Sequence, residues 1–227
     1  DGKRLYDTGE ECFPSITSVL GATADMSAFF QWRKRVGAEE ANKISQAATR
    51  RGTAMHTMCE KYLLNEVCED KDNPDADLLF KNIKPLLNKI TKVHCLETGL
   101  YSKTLGVAGT VDCIAEYDGK LTVIDFKSSK REKKEDNIKD YFLQGCFYYW
   151  AYYERTGQMP DQIAILVSSP TMVQEFIVPK EEIVEWNKDH GTKIEIELEG
   201  SYLGGQQSID EYIKQTAIVN PHVTLIY

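Results

Sequence analysis

Three residues in the middle of the chain have the types and spacing of a cation-binding carboxylate pair beside a lysine: Asp112, Asp125 and Lys127. They lie in GVAGTVDCIAEYDGKLTVIDFK, residues 106–127, where two β-prone runs flank Asp118-Gly119. Asp-Gly between such runs favours a two-residue type I′ hairpin turn. With that turn, Tyr117 faces Lys120, Ile114 faces Val123, and Asp112 faces Asp125. The two aspartates then sit side by side with Cβ atoms about 4.5–5.5 Å apart. Lys127 projects from the same face as Asp125. Like charges set opposite each other are destabilising, so the arrangement calls for a positive partner, and a divalent cation is the simplest one. A surface hairpin carrying a plain cross-strand ionic cluster would read the same way, so the rest of the chain has to decide.

Other elements must bring partners to this hairpin. A helix is expected over residues 47–64, with Met55, Cys59, Tyr62 and Leu63 as its buried stripe. His56 and Glu60 stand one turn apart on a neighbouring face, roughly 6 Å along the axis. His56 is therefore a candidate metal ligand and Glu60 a residue supporting it. Gly52, one turn before His56, leaves room for a close approach. Residues 95–101 read as a strand carrying Glu97, a half-exposed strand glutamate. After Lys127 comes SSKREKKED, whose Lys130 and Arg131 are placed to contact phosphate, although such a run is commonly just solvated. An aromatic helix follows over about 137–154, ended by Gly157, with Gln144 and Tyr148 on one face.

The remaining segments complete the fold. Residues 1–14 read as an irregular lead-in, and Ser15 as the cap of a short helix to Leu20. A second helix begins near Ser27 and carries Phe29, Phe30 and Trp32 beside Arg33, Lys34 and Arg35. Rings interleaved with cations suit single-stranded nucleic acid, by stacking and phosphate contact; an amphipathic helix with a solvated basic patch has the same composition. Residues 65–77 read as a polar loop, in which Asp70 and Asp72 lack calcium-loop spacing. A packing helix bent by Pro85 is expected over 77–93, strands over 162–168 and 172–178, and a closing helix over about 179–199. The order predicts an α/β fold, a mixed central sheet flanked by helices and preceded by N-terminal helices. It divides into one domain over 1–203, with N-terminal helices in 1–64 and a catalytic core in 94–178; residues 204–227 form a segment of no assignable role.

Gly109-x-x-Asp112 followed by Asp125-Phe126-Lys127 resembles the central motif of the PD-(D/E)xK nucleases. Gly52-x-x-x-His56-x-x-x-Glu60 upstream and Gln144-x-x-x-Tyr148 downstream resemble the RecB-like exonuclease branch of that superfamily, in the expected order. With Phe13-Pro14-Ser15 and the run from Glu116 to Asp125, the chain is most similar to the mitochondrial genome maintenance exonuclease family over roughly its first 180 residues. The resemblance implies a restriction-endonuclease-like core and a metal-dependent deoxyribonuclease. Asp112 and Asp125 would hold Mg²⁺ or Mn²⁺ with His56 and the Phe126 carbonyl, and Lys127 would act beside them. It puts Gln144 and Tyr148 over the hairpin against the DNA backbone or the metal-bound water, and an acid near Glu97 at the edge of the site. Its expected partner is DNA, single-stranded by preference, with replication or recombination proteins as further candidates. The alternatives are a non-cleaving nucleic-acid-binding subunit of the same fold, or a structure- or sequence-specific endonuclease.

Composition narrows the remaining classes. The net charge is −8, with 27 basic and 35 acidic side chains, so phosphate must be bound through local clusters and metal and not through a global basic field. Six scattered cysteines contain no C-x-x-C pair, which argues against a zinc ribbon and an iron–sulfur cluster and fits a reducing compartment. No apolar run approaches a membrane span, and no Walker-type loop or nucleophile elbow is present. The expected location is intracellular: the cytoplasm of a bacterial or phage-infected cell, or the mitochondrial matrix if a targeting segment has been removed.

Overall fold

The hairpin turn forms at Asp118-Gly119, with φ values of 49° and 79°, the left-handed pair that a type I′ turn needs. A computed structural model describes residues 5–9, 11–68 and 72–183. In it, Tyr117 pairs with Lys120 and Ile114 with Val123. This hairpin joins β4 (Val107–Tyr117) to β5 (Lys120–Ser128) at the middle of a five-stranded sheet. Strand β3 (Ile90–Ser102) flanks β4 antiparallel, β6 (Gln162–Ser168) runs parallel to β5, and β7 (Val173–Pro179) closes the far edge antiparallel. The sheet is mixed because the chain passes from β5 to β6 through a helix, α5 (Lys139–Thr156), as a parallel pair requires.

Helices cover both faces. Val123 of β5 and Ile163, Ile165 and Val167 of β6 pack in the core with α5. Their alternating neighbours Ile124, Phe126, Ala164 and Leu166 pack with α3 (Ala38–Leu63) and α4 (Pro74–Leu87). Every residue of β6 is buried, as expected of a strand covered on both sides. Helix α5 ends at Gly157, left-handed at φ 71°, whose N–H bonds to the Tyr153 carbonyl. Ser15 caps α1 (Ile16–Thr23) by accepting the Ser18 N–H, and α2 (Ser27–Val36) follows without a single buried residue.

Four expectations are corrected. The lead-in contains a two-stranded hairpin, β1 (Leu5–Asp7) with β2 (Cys12–Pro14). Helix α3 begins nine residues before the expected 47, immediately after Gly37. The helix expected over 77–93 is α4, which starts at Pro74 because the Asn73 side chain accepts the Ala76 N–H, a cap-plus-proline start. It stops at Leu87, since Ile90 pairs with Tyr117 and this long-range pairing overrides the helical periodicity. Strand β3 is accordingly longer than the expected 95–101. After β7 there is a 3₁₀ turn at Lys180–Glu182; the rest of the expected closing helix, Asp70 and residues 204–227 lie outside the described residues.

One contact ties the two layers at the site end of β4. A Cβ placed on Gly109 would lie 2.7 Å from the Tyr148 hydroxyl and 3.0 Å from the Ile16 side chain. Gly109→Ala should therefore cost about 1–3 kcal/mol in urea unfolding. Gly99→Ala on the neighbouring strand, where nothing lies within 4 Å, serves as the control for a plain strand glycine.

Candidate active site

The two central strands part where the carboxylates stand. The β4–β5 ladder ends at Cys113 and Ile124, one pair short of Asp112 and Asp125. Instead, Asp112 Oδ2 accepts the Phe126 N–H at 2.8 Å, a side chain replacing the missing ladder bond. Beyond this fork β4 runs on beside β3, with a parallel bridge from Ala108 to Ser15, and β5 runs beside β6. The alternation along β4 also breaks, since Val111 and Ile114 both pack on the α5 side while Cys113 packs on the other. Asp112 is thereby brought to α3, 3.6 Å from His56 Nδ1. The His56 ring stands edge-on to Phe126, with centroids 6.2 Å apart. Gly52 permits this approach of α3: a Cβ there would lie 3.1 Å from Ser128 Oγ at the end of β5.

His56, Asp112 and Glu97 offer ligand atoms that all lie within 4.8 Å of one another. They line a cleft of about 450 Å³ with Gly52, Thr53 and Glu60. Asp125 stands behind them, 1% exposed, in an ion pair with Lys127. Neither Asp125 oxygen accepts a hydrogen bond of acceptable geometry among the described residues. The Lys127 ammonium also donates to Gln144 Oε1 at 3.3 Å and lies 5.1 Å above the Tyr141 ring. Two carboxylates and an imidazole converging, with a third buried carboxylate unsatisfied behind them, fit a hard divalent cation.

The electrostatics carry the same imbalance. Burial pushes Asp125 up to about 6, against the pull of Lys127 and with the push of Asp112. Desolvation opposes the charged form of the half-buried Asp112, but the His56 hydrogen bond and charge, Lys127 and the Phe126 N–H hold it below the usual carboxylate range. Burial disfavours the charged forms of His56 and Lys127, yet their acidic neighbours raise both: Asp112 for His56, and Asp125 then Asp112 for Lys127. Glu97 is raised by partial burial and then by Asp112. The sequence made the two aspartates equal sharers of a repulsion; the structure places the burden on Asp125.

Several sequence-derived positions need correcting. The expected ligand set was His56, Asp112, Asp125 and the Phe126 carbonyl, with Glu97 at the edge. The groups that converge within 4.8 Å are His56, Glu97 and Asp112, while Asp125 is paired with Lys127. Phe126 contributes its amide to Asp112 and its ring to His56. Tyr148 is 2% exposed and donates its hydroxyl to the Thr110 carbonyl at 2.7 Å, so it braces β4 from behind and does not face a ligand. Gln144 lies between Tyr148 and Lys127, 3.4 Å from the Tyr148 hydroxyl. Glu60 lines the cleft.

Trp32, Arg33 and Arg35 are not brought to the cluster. Arg33 bonds to Asn42 near the start of α3, about 21 Å along the helix axis from His56. Phe29 packs against Phe30 and Trp32, and Phe30 is 62% exposed. Lys130 and Arg131 are exposed in the loop after β5. Gln174 of β7 grips that loop at both ends of its amide, accepting the Lys133 N–H at 2.7 Å and donating to the Lys133 carbonyl at 2.8 Å. No sequence signal marked Gln174, since a polar residue on an edge strand reads as solvent-facing.

This geometry meets an independent likeness. The model of the PD-(D/E)XK nuclease superfamily matches residues 88–195, from the start of β3 onward. Residues 88–195, just under half of the chain, thus match a PD-(D/E)XK domain. Human mitochondrial genome maintenance exonuclease 1 is 30% identical over 145 residues, covering 59% of this chain and 40% of that protein. The Xenopus tropicalis protein of the same name is 31% identical over 137 residues, covering 57% and 39%. A shorter stretch of 62 residues is 44% identical to a type 2 DNA topoisomerase 6 polypeptide of Methanococcoides burtonii, covering 27% of this chain and 10% of that protein. The chain thus spans about two fifths of the exonucleases and a tenth of the topoisomerase polypeptide. The PD-(D/E)XK assignment accounts for the mixed sheet and for the acid pair and lysine at its fork.

The pKa pattern sets the pH response of the metal-free PD-(D/E)XK domain. Asp125 binds its proton more tightly folded than unfolded, so its contribution to stability falls as pH rises from its ordinary value of 3.8 through about 6. His56, raised from 6.5, contributes stability below that value and loses it as pH rises through its folded pKa, in the same direction. In EDTA the melting temperature should fall between pH 5 and pH 7.5 by on the order of 5 °C. Asp125→Asn should flatten that slope; an unchanged slope in the variant would place the titrating group elsewhere.

Proposed function

We propose that this chain is a metal-dependent DNA exonuclease that hydrolyses phosphodiester bonds from free single-stranded ends. The observation that carries the reading is the convergence of His56, Glu97 and Asp112 within 4.8 Å, with the Asp125–Lys127 pair behind them, at the fork of a PD-(D/E)XK sheet. His56, Glu97 and Asp112, with Asp125 adjoining, would hold Mg²⁺ or Mn²⁺. Such an ion supplies activation of a water molecule and neutralises charge building on the phosphate oxygens. Lys127 is half-buried, and Asp125 and Gln144 fix it, so its ammonium is already aimed before substrate arrives. Gln144 holds that ammonium, and Tyr148 holds the β4 backbone that carries Asp112.

Two features support single-stranded ends as substrate. An acidic chain lacks the broad basic surface that grips duplex DNA through many phosphates. Helix α2 offers the exposed Phe30, the half-exposed Trp32, and Lys34 and Arg35 on the same helix, a stacking and phosphate-contacting surface along α3 from the site. The relatives named as exonucleases support the end requirement by analogy.

End-labelled oligonucleotides with Mg²⁺, Mn²⁺ or EDTA test the reaction, and Asp125→Ala or Lys127→Ala should lower turnover at least about a thousandfold without unfolding the chain. Near-normal turnover by Asp125→Ala would sink the reading. Linear single-stranded DNA should be digested while the same molecule circularised resists; equal attack on both would point to an open endonuclease cleft. Gln174→Ala should raise KM and leave kcat nearly unchanged, because it loosens the cationic loop and not Lys127.

A further inference from the structure

Glu97 occupies a backbone conformation that its residue type disfavours. Its φ is +45°, in the left-handed region. Among the described residues, the other non-glycine positions with positive φ are Asn65, Lys92 and Asp118. Asn65 follows α3 and Asp118 makes the hairpin turn, and both are types that tolerate this region. Lys92 falls where β3 slips in register against β4, between Thr91 and Val93, the place where a bulge inserts an extra residue. Glu97 has no such cause. Leu96 faces Cys113 and Thr98 faces Val111, so no residue is inserted between them and Glu97 lies opposite Asp112.

The conformation is held from one side chain away. The Thr98 hydroxyl accepts the Leu96 N–H at 3.2 Å and donates to the Leu96 carbonyl at 3.0 Å. Both backbone groups of the residue before Glu97 are thus tied to the side chain of the residue after it. The carboxylate between them meets the His56 ring nitrogen and the Asp112 carboxylate within 4.8 Å. Strained backbone persists where its surroundings over-determine it, and it concentrates at functional sites.

We propose that Thr98 is a positioning residue: its hydroxyl holds Glu97 left-handed, so that the carboxylate turns into the cleft and completes the cation site with His56 and Asp112. This rests on the metal-site reading above and adds a residue that no motif in the sequence marks. An ordinary hydroxyl-to-backbone contact would steady the strand but leave cation affinity unmoved.

The test is Mn²⁺ binding to the full chain, read by electron paramagnetic resonance titration of free Mn²⁺ and by Mn²⁺-induced thermal shift against an EDTA baseline. Thr98→Val, which keeps the shape and loses the hydroxyl, should weaken Mn²⁺ binding about tenfold or more, the range for groups that orient metal ligands. Thr98→Ser should restore it to near the wild-type value. Glu97→Gly gives a reading that does not depend on Thr98→Val folding: glycine accepts positive φ, so its melting temperature in EDTA should equal or exceed wild type while its Mn²⁺ response is lost. Wild-type affinity in Thr98→Val, or a Glu97→Gly chain that melts well below wild type in EDTA, overturns the inference and leaves the metal site standing. No Mn²⁺ response in the wild-type chain overturns both.

Discussion

The hydrogen bond from the Phe126 N–H to Asp112 Oδ2 is the contact on which the site depends. A hairpin whose strands stayed paired to the end would bury its last aspartates against each other and leave no cleft. Here the ladder stops one pair early, and two strands that part leave backbone groups in need of partners. Asp112 satisfies one of them with its own carboxylate, so the fork is held open by a residue of the site itself. The same carboxylate reaches α3 through His56, which ties β4 to the helix covering it. Tyr148 braces the backbone from the opposite layer through Thr110, and the lack of a side chain at Gly109 is what lets it come so close.

The fork concentrates more negative charge than the fold neutralises by itself. Asp112 is well served, with His56, Lys127 and an amide around it, and its charged form is favoured. Asp125 is not: it is buried, it has Lys127 as its ion-pair partner, and its oxygens lack well-formed hydrogen bonds among the described residues. A buried carboxylate left in that state is destabilising unless something else neutralises it. On the proposed function the deficit is resolved by the bound cation, and the metal-free fold carries the cost, as is usual where a site is preorganised for a ligand. The left-handed Glu97 belongs to the same account, since a relaxed strand residue would point its carboxylate elsewhere.

The hairpin was legible because its signals are local and agree: Asp-Gly dictates the turn, and period-two alternation fixes the register from Tyr117 back to Cys113. The aromatic helix with its Gly157 stop, and Ser15 as a cap, were legible for the same reason. Fork geometry is not written in periodicity. Register counting carries Asp112 to Asp125 as though the ladder continued, and only the competition between a ladder bond and a side-chain acceptor shows where it ends. Glu97 was read as a strand residue at the edge of the site because a positive φ leaves no trace in residue spacing; Thr98, which holds it, looks like any β-prone threonine. Tyr148 was placed at the substrate by the family resemblance, and the depth to which its side chain is buried is a tertiary property that no motif records. Helix α4 was misplaced at both ends, once by an overlooked Asn-Pro start and once by a strand pairing with a partner nearly thirty residues away.

On the proposed function an acidic chain handles a polyanion and must place its cations with care, and their placement here follows the sheet. Lys127 is on β5 and Lys133 in the loop that follows; their ammonium groups lie 5.1 and 6.0 Å from the Tyr141 ring, which spaces them along α5. The loop between them would wander if only its charges held it, since Lys130 and Arg131 are exposed. Two hydrogen bonds of the Gln174 side-chain amide, one accepted from and one donated to the Lys133 backbone, pin it to β7, and the Ser129 hydroxyl closes it internally by donating to the Arg131 carbonyl. β7 therefore does more than close the sheet. By fixing the loop it fixes where positive charge stands relative to Asp125, and it does so with neutral groups that add nothing to the repulsion at the fork. Under the proposed function, phosphates on either side of the scissile bond would meet cations whose positions are set by hydrogen bonds before the strand arrives. Such preorganisation would let a chain of net charge −8 bind a backbone of the same sign.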